Sequence, residues 1–307
     1  MEKLDFILPG ERFTERFANY IFNLCEKMTL TDVAEMALIN WRTAKRIDKK
    51  KLQERFKNLD NINPMRIGVD EIAHEKGHKY LTIVRDLDAG VIWVGEKRKK
   101  ETLDQFFQEL GKKKCKLITV AVIDMWDPFI KSIKENTNAE IVFDKFHIAK
   151  KINEAVDSIR KREFAKADKE ERIEMKHKRF LILYRNKNLN KEQEKDLNEL
   201  MDQNKKLYEA YLLKEQALSI FDRRQKNVAL ERLKSWKENV QESDIEEFQK
   251  VLKTLEHYWY GIENYFTHRV TNGASEGYNN KINIIKRRAY GFKDIEYFKL
   301  KILQSCS

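Results

Sequence analysis

Two acidic residues stand where their carboxylates could bind a divalent metal ion. Asp70 follows the apolar run that begins at Ile67, and Asp124 follows the apolar and β-branched run 117–123, so each is predicted at the end of a buried strand. An isolated buried carboxylate is costly, and hard oxygen ligands suit Mg²⁺ or Mn²⁺. Either acid alone could be a turn or capping residue, but the two together favour a metal site.

A third acid is expected from a predicted helix near the C-terminus. Its polar residues are spaced by four, three and four positions, which places them on one helical face. They are Glu276, Asn280, Asn283 and Arg287. An acid, two amides and a guanidinium suit a surface that faces metal and phosphate. A solvated polar face is the alternative.

The elements that must position these residues follow from periodicity and from the glycines and prolines. Strands are predicted at 66–70, 80–87, 90–96, 117–123 and 140–143, with helices at 101–110, from about 128 and after Asp144. The order β-β-β-α-β-α-β-α is that of an α/β ribonuclease-H-like core, in which adjacent strand ends bring side chains together. No glycine or proline occurs from Phe129 to Tyr260. Apart from the strand at 140–143, that stretch is therefore predicted to be helical.

Composition limits the class of protein. The 307 residues include 61 Lys and Arg against 50 Asp and Glu, a net charge of +11. No apolar run approaches the roughly 18 residues of a membrane-spanning helix, and the beginning does not resemble a secretion signal. The three cysteines are far apart, which excludes a disulfide framework or a cysteine zinc site. A soluble, cytoplasmic and nucleoid-associated protein with a polyanionic partner is expected.

The region before the first strand is predicted to be helical and to bind DNA. Two short helices flank a break near residues 38–40, and the second helix is basic. This pattern resembles a helix-turn-helix, although an ordinary helical hairpin remains the alternative. The side chains predicted to face inward are Trp41, Ala44 and Ile47. The side chains predicted to face DNA are Arg42, Lys45 and Arg46.

Further cationic and aromatic residues are candidates for DNA contacts. The runs at 97–100 and 112–114, together with Lys286, Arg287 and Arg288, are candidates for binding backbone phosphates. A role in solubility alone is the alternative for some of these cations. Asn283 lies on the same predicted face as the third acid. Trp126, close to Asp124, could stack on a displaced base, or it could be a core aromatic that caps the sheet.

Four segments together resemble one family. They are IGVDE around Asp70, VAVIDMWDPF around Asp124, FDKFHIAKKINEAVDSIRK around His147 and NGASEGYNNKINIIKRRAYGF around Glu276. These strings are similar to those of DDE transposases of bacterial insertion sequences, specifically the ISL3 family, over residues 10–302. The resemblance implies a ribonuclease-H-like catalytic core with a large all-helical insertion between the second and third acids, preceded by an N-terminal helix-turn-helix.

The resemblance also implies a reaction. Asp70, Asp124 and Glu276 would bind two Mg²⁺ or Mn²⁺ ions and promote in-line phosphoryl transfer. Water would cleave the DNA at the end of the element, and the freed 3′-hydroxyl would then attack target DNA. Three more side chains are expected to support the acids, namely Glu71, His147 and Asn280. His147 resembles the histidine of an Asp/Cys-x-x-His element in related transposases; a packing or capping histidine is the alternative.

The predicted organisation has four parts. Residues 1–62 form the helix-turn-helix region, 63–162 the first part of the catalytic core, 163–268 the helical insertion, and 269–307 a C-terminal helix that completes the core. Family members commonly begin with a cysteine-rich zinc-binding segment, which this sequence is expected to lack. DNA and a homodimer or higher assembly on it are the expected partners. A truncated or repurposed non-catalytic DNA-binding protein and a structure-selective DNA nuclease are the alternatives.

Overall fold

The structure is a computed structural model that describes residues 12–75, 77, 79–176 and 178–307. Residues 1–11 of the predicted helix-turn-helix region lie outside the described residues. Within the described part, no helix is long and apolar enough to cross a membrane. The chain divides into two compact units. The first comprises the described residues up to Ala121, Trp126–Ala139 and Asn272–Ser307, and the second comprises Val122–Met125 and Glu140–Thr271.

The described residues form a mixed α/β fold with one five-stranded sheet, whose strand order is β3-β2-β1-β4-β5. Its strands are β1 (Arg66–Glu75), β2 (Lys79–Asp86), β3 (Gly90–Glu96), β4 (Val120–Ile123) and β5 (Glu140–Phe143). The first three strands pair as antiparallel neighbours, with Asp70 opposite Ile83. The prediction of these five strands is confirmed.

Two predicted strand boundaries are wrong. Pairing of β1 with β2 continues to Glu75 opposite Lys79, so Asp70 lies within β1 and not at its end. The sequence did not predict this extension of β1, because Ile72 is the only buried side chain among the residues that follow Asp70 in the strand. The strand β4 begins at Val120 because a short helix ends at Cys115 and Leu117 is 51% exposed.

The predicted helices before the sheet are present. They are α1 (Glu15–Lys27), α2 (Leu30–Met36) and α3 (Trp41–Arg55). The side chain of Thr29 caps α2, and that of Asn40 caps α3. Between them Leu38 adopts the left-handed conformation, with a φ of 52°, that a glycine would supply most easily. Ala44 and Ile47 enter the core of this region as predicted.

The prediction for Trp41 is wrong, since this side chain is 48% exposed. The helix α3 begins at Trp41 immediately after the turn, and its packed face begins one turn later at Ala44.

Two C-terminal helices cover one face of the antiparallel strands. They are α15 (Ala274–Arg288) and α16 (Ile295–Cys306). Ile282 of α15 and Phe298 and Ile302 of α16 pack on the apolar side chains of the β1–β3 hairpins. The helix α16 also contacts α3, where Leu52 packs with Tyr297 and Leu300. The helix-turn-helix region is thereby attached to the C-terminal helix.

Three further helices belong to the first unit, namely α4 (Lys100–Leu110), α5 (Lys112–Cys115) and α6 (Asp127–Asn136). The ring of Phe106 contacts Trp93 of β3 at a centroid distance of 5.7 Å. Ser132 of α6 donates a hydrogen bond to Asp104 of α4 at 2.5 Å. The residue before α6 is Trp126, so the helix begins at Asp127 with Pro128 as its second residue.

Apart from the β4 residues and β5, the elements of the second unit are helices, as predicted from the lack of glycine and proline between Phe129 and Tyr260. Its helices are α7 (Lys145–Lys166), α8 (Lys169–Met175), α9 (Arg179–Leu183), α10 (Lys191–Gln203), α11 (Lys205–Ile220), α12 (Lys226–Glu242), α13 (Glu246–His257) and α14 (Trp259–His268). Gly261 of α14 lies against Phe143 of β5, where an added Cβ would be 2.4 Å from the ring. A side chain there would force α14 away from the strand.

Candidate functional site

The carboxylate of Asp70 is held by two hydrogen bonds in the first unit. Its Oδ1 accepts from the backbone N–H of Glu71 at 2.7 Å, and its Oδ2 accepts from the side-chain amide of Asn279 at 3.1 Å. Asp70 is half-buried, so the oxygens keep access to solvent. Two donors on one carboxylate fix the orientation of that carboxylate.

The donor Asn279 belongs to the helix that carries Glu276. It lies three residues after Glu276, so both project from the same side of α15. Glu276 is exposed in the first turn, where the positive end of the helix dipole favours a carboxylate. The Asp70–Asn279 hydrogen bond therefore joins the strand of the first predicted acid to the helix of the third.

Close packing just before α15 makes this contact possible. Asn272 is buried and accepts from Nε of Arg85 at 2.9 Å. A Cβ at Gly68 would lie 2.6 Å from Oδ1 of Asn272. Glycine at this position, two residues before Asp70, therefore lets the segment that leads into α15 approach β1.

Asn279 is the functional candidate that sequence reasoning missed. The spacing of the polar stripe led to Asn280, which is exposed. Asn279 fits the stripe equally well, because it precedes Asn283 by four residues and follows Glu276 by three. Asn283 is half-buried and Arg287 exposed. Neither Asn280 nor Asn283 is tested further by the structure, and their proposed roles stay predictions.

The second predicted acid contacts a histidine in the second unit. Asp124 directly follows β4, and its Oδ1 lies 2.8 Å from Nε2 of His147. At this distance a protonated imidazole forms an ion pair with the carboxylate. His147 occupies the first turn of α7, which the Asp144 side chain caps by accepting from the N–H of Phe146. The exposed fractions of the two side chains are 25% for Asp124 and 38% for His147.

Glu71 and Trp126 both contact the side chain of Arg98. Oε1 of Glu71 pairs with Nη1 of Arg98 at 2.7 Å. The same guanidinium lies over the rings of Tyr80 and Trp126, at 4.4 and 4.8 Å from their centroids. Successive residues of a strand point to opposite faces, so Glu71 faces away from the Asp70 carboxylate. Trp126 is 36% exposed and is not the core aromatic that was the alternative.

The donor chemistry of the three acids fits a hard divalent cation, since all are carboxylates with exposed surface. Among the residues that the structure describes, however, no group of three or more His, Cys, Asp or Glu side chains is arranged to hold a metal ion. The ligand types thus agree with Mg²⁺ or Mn²⁺, and their grouping into one site stays a prediction.

The basic face of α3 is only partly directed to solvent. Arg42 and Arg46 are exposed, with their guanidinium groups over the rings of Trp41 and Phe13. Lys45 instead pairs with Asp294 at 2.8 Å. The sequence predicted Lys45 to face outward because Asp294 lies on another element far along the chain.

The pKa of Asp294 is lowered by two lysines of α3, Lys45 and Lys49. Burial raises the pKa of its carboxyl, but hydrogen bonds from Lys45, the backbone N–H of Tyr297 and Lys49 outweigh this and lower the pKa to about 2. The ion pairs therefore stabilise the attachment of α3 to the segment before α16 at neutral pH.

A buried acid, Asp48, also connects α3 to α16. Asp48 of α3 is fully buried and accepts from the hydroxyl of Tyr297 at 2.5 Å and from Nζ of Lys301 at 3.2 Å. Burial raises the pKa of Asp48, although Lys301 and Tyr297 act in the opposite direction. Lys301 also donates to the backbone oxygen of Cys25 at 2.9 Å. One lysine thus links α1, α3 and α16.

The basic end of α15 is exposed in part. Lys286 is half-buried, and Arg287 and Arg288 are exposed. Arg288 donates to the backbone oxygen of Lys27 at 2.8 Å, which connects α15 to the end of α1. These three cations lie in the last turn of the helix, where they also favour the negative end of the helix dipole.

Comparisons with known proteins agree over most of the chain. A family model described as a transposase matches residues 67–302, and the model of the helix-turn-helix domain of transposase family ISL3 matches residues 2–50. The chain is 31% identical to the transposase for insertion sequence element IS1001 of Bordetella parapertussis, over 98% of this chain and 76% of that protein. It is 28% identical to the transposase for insertion sequence element IS1557 of Mycobacterium tuberculosis, over 91% of this chain and 69% of that protein.

Proposed function

The chain belongs to the ISL3 family of insertion-sequence transposases, and we propose that it cleaves DNA at the ends of an element and transfers the freed 3′-hydroxyls to target DNA. The proposed reaction is metal-dependent, in-line phosphoryl transfer with Asp70, Asp124 and Glu276 as the catalytic acids. The observation that supports it best is the hydrogen bond from Asn279 to Asp70, because it ties α15, the helix of Glu276, to the strand of Asp70.

The proposed catalytic core is ribonuclease-H-like. The strand order β3-β2-β1-β4-β5 with antiparallel β1–β3 hairpins supports this assignment, since such a core joins a hairpin unit to crossover strands. We assign 1–62 to the helix-turn-helix region, 63–162 and 269–307 to the core, and 163–268 to the insertion. The helices α8–α14 fall within the insertion so defined.

Side chains around two of the acids would hold them ready for catalysis. The Glu71 N–H and Asn279 fix both oxygens of Asp70, and His147 orients Asp124 from the first turn of α7. Two Mg²⁺ or Mn²⁺ ions bound by Asp70, Asp124 and Glu276 would supply charge neutralisation and activation of water or of a 3′-hydroxyl. Orientation by such supporting groups is what makes carboxylate ligands effective.

DNA is the proposed partner. The helix-turn-helix region would bind the element ends through Arg42 and Arg46, with Lys45 made available only if its pair with Asp294 opens. Asn283, Lys286, Arg287 and Arg288 would contact backbone phosphates, and Trp126 would lie beside the cleaved strand. A homodimer or higher assembly would bring two ends together.

The test is cleavage of a supercoiled plasmid that carries the flanking DNA of this gene, with Mg²⁺ and then Mn²⁺. The Glu276→Gln variant should lose cleavage and keep its DNA affinity, because the change removes one charge from an exposed side chain. Glu101→Gln is the matched control, since Glu101 is also an exposed acid in the first turn of a helix. It should cleave like the wild type.

The outcomes separate the candidate functions. Cleavage followed by joining of ends, both lost in Glu276→Gln, supports the transposase. Cleavage without any joining would indicate a nuclease on the same fold. DNA binding without cleavage, unaffected by changes at the three acids, would indicate a non-catalytic DNA-binding protein. Normal cleavage by Glu276→Gln would refute the assignment of the third acid.

A further inference from the structure

The end of α15 has an unusual residue at a position that favours glycine. The backbone N–H of Tyr290 donates to the oxygen of Arg287 at 3.0 Å, and that of Gly291 donates to the oxygen of Lys286 at 2.9 Å. This pair of bonds is the Schellman motif, whose first residue after the cap adopts the left-handed conformation and is usually glycine. Here Tyr290 occupies that position, with a φ of 51°, and glycine follows one residue later.

The Tyr290 side chain gains nothing from the described protein to offset this strain. Its relative exposure is 102%, the highest among the exposed large apolar side chains of the described residues. A left-handed conformation is unfavourable for a residue with a Cβ, and an exposed aromatic ring adds no burial. Strained residues that the fold does not need are characteristic of functional positions.

The surroundings of Tyr290 identify the chemistry of its partner. Residues 281–293 contain five cations and no acid, namely Lys281, Lys286, Arg287, Arg288 and Lys293. Tyr290 and Arg288 line a groove of 510 Å³ that is also lined by Trp41 of α3 and by two acids, Glu26 and Asp32. Trp41 is 48% exposed. Cations with exposed aromatic rings are the combination by which proteins bind the backbone and stack on the bases of unpaired nucleic acid.

We propose that Tyr290 stacks on an unpaired base of DNA whose backbone is held by the cationic end of α15. A ring can stack on a base only where the base face is exposed, so the preferred DNA contains an unpaired or extruded nucleotide. Glu276 and Arg288 are twelve residues apart on one helix, a rise of about 18 Å. The inference rests on the proposed function for its DNA partner.

The experiment measures binding to two labelled DNA duplexes, one fully paired and one with a single unpaired thymine. The wild type should prefer the second duplex. Tyr290→Gly should lose roughly tenfold in affinity for it, whereas Tyr290→Phe should keep the preference. The melting temperature of Tyr290→Gly should not fall, because glycine suits the left-handed position. Tyr208→Ala is the control, since Tyr208 is a 47% exposed tyrosine of α11, and it should bind like the wild type.

Salt dependence distinguishes stacking from charge. Arg287→Ala should weaken binding of both duplexes and reduce the salt slope by about one, whereas Tyr290→Gly should leave the slope unchanged. Equal binding of wild type and Tyr290→Gly to the unpaired-thymine duplex would overturn the inference alone. So would a change of oligomeric state in Tyr290→Gly without a change in DNA affinity, which would identify a protein contact. A wild type that binds neither duplex would refute the proposed function as well.

Discussion

Replacement of Asn279 tests whether its hydrogen bond holds Asp70 for catalysis. The bond joins a neutral amide to a half-buried carboxylate at 3.1 Å. Hydrogen bonds to charged groups contribute about 1.5–3 kcal/mol, and each 1.36 kcal/mol is about a tenfold change in rate. If that interaction is needed in the transition state, Asn279→Ala should cleave about 10- to 100-fold more slowly, the range typical of groups that orient metal ligands.

The variant Asn279→Asp distinguishes a role of Asn279 in positioning the Asp70 carboxylate from a role in filling space. Aspartate has the size of asparagine, but its carboxylate cannot donate to Asp70 and adds a like charge beside it. We therefore expect Asn279→Asp to be slower than Asn279→Ala. A purely structural role predicts the opposite order, because aspartate fills the same space.

The assay is single-turnover cleavage of the supercoiled plasmid across a series of Mg²⁺ concentrations, with DNA affinity measured separately by fluorescence anisotropy. Both Asn279 variants should require more Mg²⁺ and bind DNA like the wild type. Ile284→Ala is the control, since Ile284 is 55% exposed on the same helix, and its rate should be unchanged. Wild-type rates for Asn279→Ala, or a faster Asn279→Asp, would refute the reasoning.

Three further predictions concern the attachment of α3 and the second acid. Lys301→Met should lower the free energy of unfolding by about 3–5 kcal/mol, because it leaves Asp48 buried without its cation. In urea unfolding, the double variant Lys301→Met/Asp48→Asn should regain part of the lost stability. An additive loss in the double variant would contradict this interpretation. The pKa of Asp294 is lowered to about 2, so its pair with Lys45 stabilises the fold above pH ~4 and this contribution is lost as the pH falls towards ~2. The melting temperature of the wild type should therefore exceed that of Asp294→Asn at pH 7 and converge with it in acid; a constant difference would argue against the ion pair. His147→Asn should cleave about tenfold more slowly with unchanged DNA affinity, because it removes the imidazole that lies 2.8 Å from the Asp124 carboxylate. Equal losses in cleavage and binding would indicate a folding defect instead.

The parts of the fold that depend on local periodicity were predictable. The run 120–123 is apolar and β-branched, which specifies a strand buried on both faces, and the glycine-free stretch after Phe129 is helical as expected. Errors occurred where long-range pairing decided the outcome. Asp70 lies inside β1 because pairing with β2 extends the strand to Glu75, and nothing in the residues after Asp70 required that extension.

In the helix-turn-helix region, too, local spacing predicted the core residues but not the contacts made with distant parts of the chain. The helical spacing of apolar residues along α3 identified Ala44 and Ile47 as core residues. It succeeded because these side chains pack on α1 and α2, which are close in sequence. It assigned Trp41 wrongly, and it could not predict the pair of Lys45 with Asp294, since the partner lies 249 positions later in the chain.

The sequence by itself determined the elements, the family and the types of residue available for chemistry. Each of these depends on short strings and local spacing, such as the stripe of Glu276, Asn280 and Asn283. Only the tertiary structure decided which amide meets Asp70. Asn279 and Asn280 follow Glu276 by three and four residues, so both are neighbours of Glu276 on the helix surface and the local spacing does not distinguish them. The approach of α15 to β1, between residues 209 positions apart, brings Asn279 to the carboxylate and leaves Asn280 exposed, because packing fixes the rotation of a helix about its axis and sequence periodicity does not.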